Sequence, residues 1–317
     1  SDLEQATVTK LQTMRRRIEG MLLITGLTGT SGSAFYDMLC REHYAGKIRV
    51  VVRKTTDRSM FENTPLDLEF AEGDISDVDF LAKAAEGCDM VFHIASKRKI
   101  QPLADAVSRS STVRRAIMVS STIVYSKCYR NSYLAEDEAV CRKKFEEHGI
   151  RYVFVRPTMI FGRPGDGNIS RFIRWFLRWP VFPIVKGGNA TIQPVSRLDL
   201  AEAYYLVLRH FDTLRQQEYV VSGEMTLREM FQEICDLAGR TVRFVNVPFP
   251  LAKLAVEAVY WGTGRKVDYR EKLDRLTEDR AYGHDVISRE LGYAPKSFRE
   301  RVRPLIEELK EQRNNRT

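Results

Sequence analysis

The sequence predicts an α/β protein: a parallel sheet with helices on both faces, followed by a smaller, mostly helical C-terminal lobe. Three observations carry that expectation. Short apolar runs alternate with helix-like segments through the first half of the chain, the signature of repeated strand–helix–strand units. The first apolar run breaks at a glycine-rich turn, TGLTGTSG, that leads into a helix-like segment. Beyond Gly162 the alternation gives way to longer segments with apolar residues at helical spacing.

The first strand, MLLITG (21–26), is apolar and ends at glycine, and KIRVVVR ends in charge at Arg53 and Lys54. LDLEFAEGD, DMVFHIA, RAIMVSS and RYVFVRP supply four more. Between them SGSAFYDMLCREH, VDFLAKAAEG, PLADAVSRSS and LAEDEAVCRKKFEEHG read as helices. Connections of this kind make the sheet parallel and buried, with right-handed crossovers. In the second half ISRFIRWFLRWP and DLAEAYYLVLRHF are helical, and QEYVVSG is a late strand returning to the sheet. TLREMFQEICDLAG begins with Thr226 as a cap and ends at glycine. The second lobe is expected over the C-terminal edge of the sheet, where such folds bind ligands.

Composition narrows the classes. The 317 residues are 44% hydrophobic and 29% charged, ordinary for a globular protein and too many for one small core. No apolar run approaches the ~20 residues that span a bilayer. PLAKLAVEAVYWG comes nearest but is interrupted by Lys253 and Glu257. It reads as an amphipathic helix packed on the protein, with an exposed partner-binding face as the lesser alternative. The tail from Lys296 carries seven basic and four acidic residues and reads as a solvated amphipathic helix with a frayed end. Residues 1–20 are expected to be a leader, an alternative start or an extra helix, with Met14 and Met21 as candidate starts; they lack the apolar core of a secretory signal.

Five scattered cysteines (Cys40, Cys88, Cys128, Cys141 and Cys235) form no C-x-x-C pair. Reduced thiols and a cytoplasmic location are expected. The five histidines form no H-x-x-x-H, so no metal site is expected. The net charge of +8 favours anionic ligands and is weak support for nucleic acid.

The glycine turn carries the first functional reading. Gly26, Gly29 and Gly32 recur every third residue, with Thr28, Thr30 and Ser31 between them. Glycines allow a tight turn and let backbone N–H groups approach a pyrophosphate, and the helix N-terminus adds about half a positive charge. With strand and helix on either side, the motif points to a dinucleotide.

These motifs resemble those of the extended short-chain dehydrogenases, the NAD-dependent epimerase/dehydratase family, whose first turn has the form T-G-x-x-G-x-x-G. Similar segments run through most of 21–300: GDISD, DMVFHIAS, MVSSTIVYS, RPTMIFG, QPVSRLDLAEA and ELGYAPKSFRE. The resemblance implies a Rossmann-type domain over 21–162 plus about 191–223, and a substrate-binding lobe over 163–190 plus 224–317. It implies Asp74 and Ile75 beside the adenine, and His93, Ile94 and Ala95 beside the ribose and diphosphate. Pro157 and Met159 then lie near the nicotinamide. An acid at the end of the second strand favours NAD and a base favours NADP. Arg53 and Lys54 occupy that place, with no acid before Asp57. NADP is therefore the expected cofactor and NAD the alternative, in which Arg53 only stacks on adenine. The SKRK run at 96–99 is either a phosphate contact or a solvated loop.

The resemblance also implies a serine, a tyrosine and a lysine at the reacting centre. Ser121 matches the serine, with Thr122 next, and Tyr129 matches the tyrosine. Tyr133 stands in the lysine position. A tyrosine titrates near pH 10, and lowering that by ~3 units takes about 4 kcal/mol. Tyr133 supplies a hydroxyl and no charge. Only seven residues separate Ser121 from Tyr129, fewer than in typical family members. Ser132 is placed to cap the next helix, which leaves Tyr129 ahead of it. Thr122 and Ile123 replace the acidic pair of the family's 4,6-dehydratases, which disfavours that reaction. Ile192 falls where an arginine often holds a substrate diphosphate; Arg163, Arg171, Arg174 or Arg197 is the candidate replacement. Trp175 and Trp179 either stack on a base or belong to the core.

The resulting expectation is an NAD(P)-dependent oxidoreductase or epimerase-like enzyme. It transfers hydride at a carbinol or carbonyl of a small substrate, with nucleotide sugars among the candidates. The alternative is a non-catalytic NAD(P)-binding redox sensor or scaffold. A nucleic-acid partner is disfavoured, no membrane span is expected, and a homodimer is compatible with the sequence.

Overall fold

The computed structural model describes residues 20–95, 99–126, 133–266, 268–275 and 282–315. Its centre is a seven-stranded sheet. The strands are β1 (Met21–Thr25), β2 (Ile48–Val52), β3 (Leu68–Glu72), β4 (Cys88–His93), β5 (Arg115–Val119), β6 (Arg151–Pro157) and, late in the chain, Glu218–Val221. In space the order is Glu218–Val221, β6, β5, β4, β1, β2, β3. The six early strands are parallel, in register at Ile24↔Val50, Ile24↔Phe92, Val50↔Phe70, Phe92↔Ile117 and Ile117↔Val153. The strands run out from β1 in one direction and then from β4 in the other. The order reverses at β1 and β4, and sheets of this kind bind ligands outside the C-terminal ends of such strands.

The helices between strands are α1 (Thr30–Arg41), α2 (Val78–Ala85), α3 (Ile100–Ser108) and α4 (Tyr133–Glu147). Two compact units divide the chain. The first holds the described residues up to Ser120, with Leu134–Val155 and Arg215–Gln217. Its core is the sheet itself: Leu23, Ile24, Phe92, Ile117 and Phe154 are fully buried. Phe35 of α1 packs on Phe92 with ring centroids 4.9 Å apart, which seats α1 against the end of β4. Arg49 on β2 donates to the carbonyls of Ala84 and Glu86, both at 2.7 Å, and pairs with Glu69 on β3, tying the strand edge to the end of α2.

The second unit is mostly helical. Its elements include β7 (Met159–Phe161), α5 (Ile169–Arg178), β8 (Val181–Val185), β9 (Thr191–Ile192), β10 (Pro194–Ser196), α6 (Arg197–Arg209), β11 (the late sheet strand Glu218–Val221), β12 (Met225–Thr226) and α7 (Leu227–Ala238). β13 (Arg243–Val247), α8 (Phe249–Gly262), α9 (Arg270–Arg275), α10 (Asp285–Leu291) and α11 (Phe298–Asn314) complete it. Thr226 and Glu229 form the reciprocal cap at the start of α7, and Gly239 ends it with φ 64°. The core joins α5, α7 and α11: Ile173, Phe176, Phe231, Ile234, Leu305 and Ile306 are buried together. Phe176 meets Phe182, Phe231 and Phe244 edge-on at 5.0–5.9 Å, a geometry aromatic rings favour.

Three surface expectations change. The tail helix α11 is not merely solvated, because Val302, Leu305, Ile306 and Leu309 are buried in that core and Arg301 pairs with buried Asp199 at 2.5 Å. Trp175 and Trp179 are not core residues: both are exposed. The apolar face of α8 is not packed away. Only Ala252 is buried, while Leu251, Leu254, Val259 and Trp261 are exposed.

Candidate functional site

In the first unit the glycine turn joins β1 to α1. Gly26 has φ 80°, in the region L side chains avoid. A Cβ there would fall 2.4 Å from the nitrogen of Ala95. A Cβ on Gly32 would fall 2.1 Å from the carbonyl oxygen of Gly26. These two glycines let the turn fold on itself and on the end of β4. Gly29 differs. Its Cβ would meet the Gly26 carbonyl oxygen at 3.2 Å, a tight contact but far less severe than the other two, and the residue is exposed. Leu27 is fully buried and anchors the turn from below.

Gly29 is also the N-cap of α1, with no side-chain cap and no acidic residue in the first turn. The first N–H groups of a helix have no intrahelical partner. Those of Thr30, Ser31 and Gly32 therefore suit a diphosphate, with the helix dipole adding to the attraction. Thr28 and Thr30 are half-buried on the rim and Ser31 is buried. The cradle fits a dinucleotide.

At the end of β4, His93 is fully buried and its Nδ1 lies 2.8 Å from Thr25 Oγ1. This pair joins β4 to β1, where the two residues face each other in register. The Ile94 N–H donates to the Thr25 carbonyl at 3.0 Å. What this strand end offers toward Gly26 is the backbone of Ile94 and Ala95.

At the end of β2, Arg53 is exposed. Its N–H donates to Thr56 Oγ1 at 3.0 Å, and the Thr56 N–H returns to its carbonyl at 2.9 Å. The turn is thus fixed while the guanidinium stays outward. Asp74 accepts from the Ser76 N–H at 2.8 Å. That bonding holds its carboxyl below the usual range, with smaller help from the charges of Lys99 and Arg53. Ile75 beside it is half-buried. Asp57 accepts from the Ser59 N–H at 2.9 Å, and Arg58 pairs with Glu72.

In the second unit, Ser121 caps the short 3-10 turn Thr122–Tyr125; its Oγ accepts from the Ile123 N–H at 3.3 Å. A hydroxyl that accepts here still has a proton to donate. The turn is braced by a cluster absent from the sequence reading. Tyr125 donates to Glu218 Oε1 at 2.5 Å, and buried Arg156 pairs with Glu218 Oε2 at 2.9 Å. The Arg156 guanidinium also sits 5.0 Å from the Tyr125 ring centroid, a cation–π distance. Tyr125 and Arg156 both lie in motifs quoted above, the serine strand end and R-P-x-x; Glu218 gave no local signal. Pro157 is buried, and Met159 packs partly into the α5–α7–α11 core.

In the first unit Ser120 donates to the buried carboxylate of Glu138 on α4. Tyr133, the residue in the lysine position, is 69% exposed at the start of α4. Tyr129, the expected proton-transfer residue, lies outside the described residues, as do Ser132 and Ser96, Lys97 and Arg98 of the SKRK run. Among the described residues no group of three or more His, Cys, Asp or Glu is placed to hold a metal ion. No described helix is long and apolar enough to cross a membrane.

Residues 26–174 match the family model described as NAD(P)H-binding. The chain is 25% identical to an uncharacterized protein, y4nG, of Sinorhizobium fredii, over 87% of this chain and 76% of that one. It is 26% identical to a ceramide reductase of Caulobacter vibrioides, over 52% and 54%. It is 24% identical to the mitochondrial NADH dehydrogenase [ubiquinone] 1 alpha subcomplex subunit 9 of Arabidopsis thaliana, over 56% and 44%. The matches to the last two thus span about half of each relative. Among solved structures, the dTDP-glucose 4,6-dehydratase of Streptomyces venezuelae, with NAD bound, has the same fold at TM-score 0.67 and 23% identity, over 93% and 98%. The NAD complex of UDP-glucose 4-epimerase from Thermus thermophilus superposes at TM-score 0.63 and 17% identity, over 92% and 99%. Residues 26–174 thus match an NAD(P)H-binding domain, and the chain shares its fold with these two NAD-bound structures.

Proposed function

We propose that the protein is an NADP-preferring oxidoreductase or epimerase-like enzyme acting at a carbinol or carbonyl of a small substrate. The observation that carries this reading is exposed Gly29 at the uncapped start of α1, with no acidic residue in the first turn. The preference for NADP rests on outward-facing Arg53, since a guanidinium matches the geometry of a 2′-phosphate. Asp57 and Glu72, the nearest alternatives for a ribose, are already engaged with Ser59 and Arg58.

Bound NAD(P) supplies a two-electron hydride acceptor or donor. The proton belongs to the protein. In the oxidative direction the carbinol carbon loses a hydride and its hydroxyl loses a proton, which Tyr129 accepts. Ser121 orients the substrate oxygen with its remaining hydroxyl proton. The Tyr125–Glu218–Arg156 cluster positions the turn that carries Ser121. Tyr133 takes the lysine place through hydrogen bonding alone. Nucleotide sugars are candidate substrates because both solved relatives act on them by name. A carbonyl substrate of the reductase kind is the other candidate class.

A second reading has its own support. Exposed Tyr133 supplies no cation to lower a tyrosine pKa, and one relative is named as a subunit of a larger dehydrogenase. This favours a non-catalytic NAD(P)-binding protein. Calorimetry with NADPH and NADH, followed by a screen of sugar nucleotides and carbonyl compounds at the nicotinamide absorbance, separates the two. Binding with turnover supports the enzyme, binding without turnover in any substrate class supports the second reading, and no binding of either nucleotide rejects both.

A further inference from the structure

All three tryptophans of the chain lie on uncovered surface of the second unit: Trp175 is 43% exposed, Trp179 49% and Trp261 59%. Exposed apolar residues that join into a contiguous patch mark an interaction site. The Trp175 indole donates to the Val181 carbonyl at 3.0 Å, which holds the ring beside the start of β8. β8 pairs in parallel with β13 at Val181↔Arg243, Pro183↔Val245 and Val185↔Val247. Those six residues therefore share one face of the ribbon. Phe182, Ile184 and Phe244, on the other face, fill the core. The outer face is apolar at five of its six positions, and Val181 and Val245 are exposed.

A second exposed apolar face follows on α8. β13 leads through Pro248 directly into the helix, and the Lys186 ammonium lies 5.7 Å from the Phe249 ring centroid. Leu251, Leu254, Ala258 and Trp261 recur at helical spacing and are all exposed, Leu254 at 68%. The other side of α8 is held by Arg270, which stacks on Tyr260 at 3.7 Å and lies 3.8 Å from Glu257.

The charges of the same segments select the occupant. No acidic residue occurs from Gly167 to Leu198 or from Leu237 to Val256. Arg174, Arg178, Arg243, Lys253 and Arg265 make no ion pair among the described residues. Arg178 instead lies over the Trp179 ring at 5.4 Å and Arg265 over Trp261 at 4.7 Å. Exposed aliphatic residues, tryptophans and unneutralised cations together match the interfacial layer of a membrane rich in anionic lipid. A second copy of the chain on a two-fold axis would bring the same cations face to face. With 14 residues α8 is about 21 Å long, short of the ~30 Å hydrocarbon layer. We propose that this strip, from Trp179 to Trp261, docks the protein on an anionic phospholipid bilayer without spanning it.

The test uses the full chain and vesicles of phosphatidylcholine with or without phosphatidylserine. Flotation should show binding to the anionic vesicles that weakens as salt is raised. Tryptophan emission should shift to the blue and be quenched by lipids brominated in the acyl chain. Leu254→Glu should weaken binding by about tenfold or more. The double variant Arg174→Glu with Arg178→Glu should weaken it by about 25-fold or more, at about fivefold per lost charge. Circular dichroism of each variant checks that the fold is kept, and the wild-type result stands without them. Absence of binding to anionic vesicles, or binding with unchanged tryptophan emission, overturns the proposal. So does self-association that Leu254→Glu abolishes in a protein that ignores vesicles, which would assign the strip to a second copy.

Discussion

The nitrogen of Ala95 occupies the place a side chain on Gly26 would need: a Cβ there would come within 2.4 Å of it. Gly26 and Gly32 are therefore requirements of the fold, whereas the proposed role of Gly29 is toward the nucleotide. Gly26→Ala should cost at least about 1–2 kcal/mol from the left-handed backbone alone, with the Ala95 clash added, and lower the melting temperature. Gly32→Ala should also destabilise. Gly29→Ala should cost less stability than either, because its φ of −73° suits any residue and its Cβ contact with the Gly26 oxygen is the mildest of the three at 3.2 Å, yet weaken nucleotide binding. Gly29→Val should abolish binding of both NADP(H) and NAD(H). Calorimetry beside thermal denaturation reads both quantities.

Arg53 gives the second prediction. NADP(H) should bind more tightly than NAD(H), and Arg53→Asp should reverse or erase the difference while stability stays within about 0.5 kcal/mol, as for an exposed residue. Equal affinity of the wild type for the two nucleotides would remove Arg53 from 2′-phosphate recognition and leave the cradle argument intact.

The tyrosines give the third. Without a lysine partner, proton transfer by Tyr129 should be slow at pH 7 and rise toward the tyrosine pKa near 10. Tyr129→Phe should lower turnover by about 100-fold or more. Tyr133→Lys should raise the rate near neutrality or move the pH profile down, since exposure at this position leaves room for an ammonium. Turnover unchanged in Tyr129→Phe would exclude that residue from the mechanism.

A fourth prediction concerns pH and stability. Bonding from Lys47, and next from Arg49, holds the Glu69 carboxyl below its ordinary 4.5. A depressed folded value stabilises fully above the unfolded value and fades as pH falls through the folded one. Glu69→Gln should therefore destabilise at pH 7 by about 0.5–1 kcal/mol, the figure for a solvent-screened pair. The difference from wild type should shrink below pH 4.5 and vanish at lower pH. Denaturant titrations of both proteins at pH 7 and under acid conditions measure it; a difference independent of pH would assign the effect to packing.

The parallel sheet, its six early strands and the glycine cradle were legible in the sequence because each depends on local pattern. Continuous apolar runs mark buried parallel strands, and the spacing of Gly26, Gly29 and Gly32 encodes a turn whose geometry follows from the absence of side chains. The return of Glu218–Val221 to the sheet was legible for the same reason. The Tyr125–Arg156–Glu218 brace was not, because its partners lie far apart in sequence and only the adjacency of β6 and β11 brings Glu218 to Arg156. The sequence also left α8 and the tryptophans ambiguous. A helical apolar face has the same period whether a core covers it or solvent does.

By itself, then, the sequence determined which segments become strands and helices and where the glycine turn leads into an uncapped helix, since both follow from the preferences of neighbouring residues. Tertiary structure alone decided that a side chain on Gly26 or Gly32 would clash with backbone at 2.4 or 2.1 Å, while one on Gly29 would meet it only at 3.2 Å. It decided that His93 is buried and bonded to Thr25 across β4 and β1. It also decided that Trp175, Trp179 and Trp261 stay outside the core. Each of these depends on which distant atoms fill the volume around a side chain, and that is fixed only when the sheet order and the helix packing are.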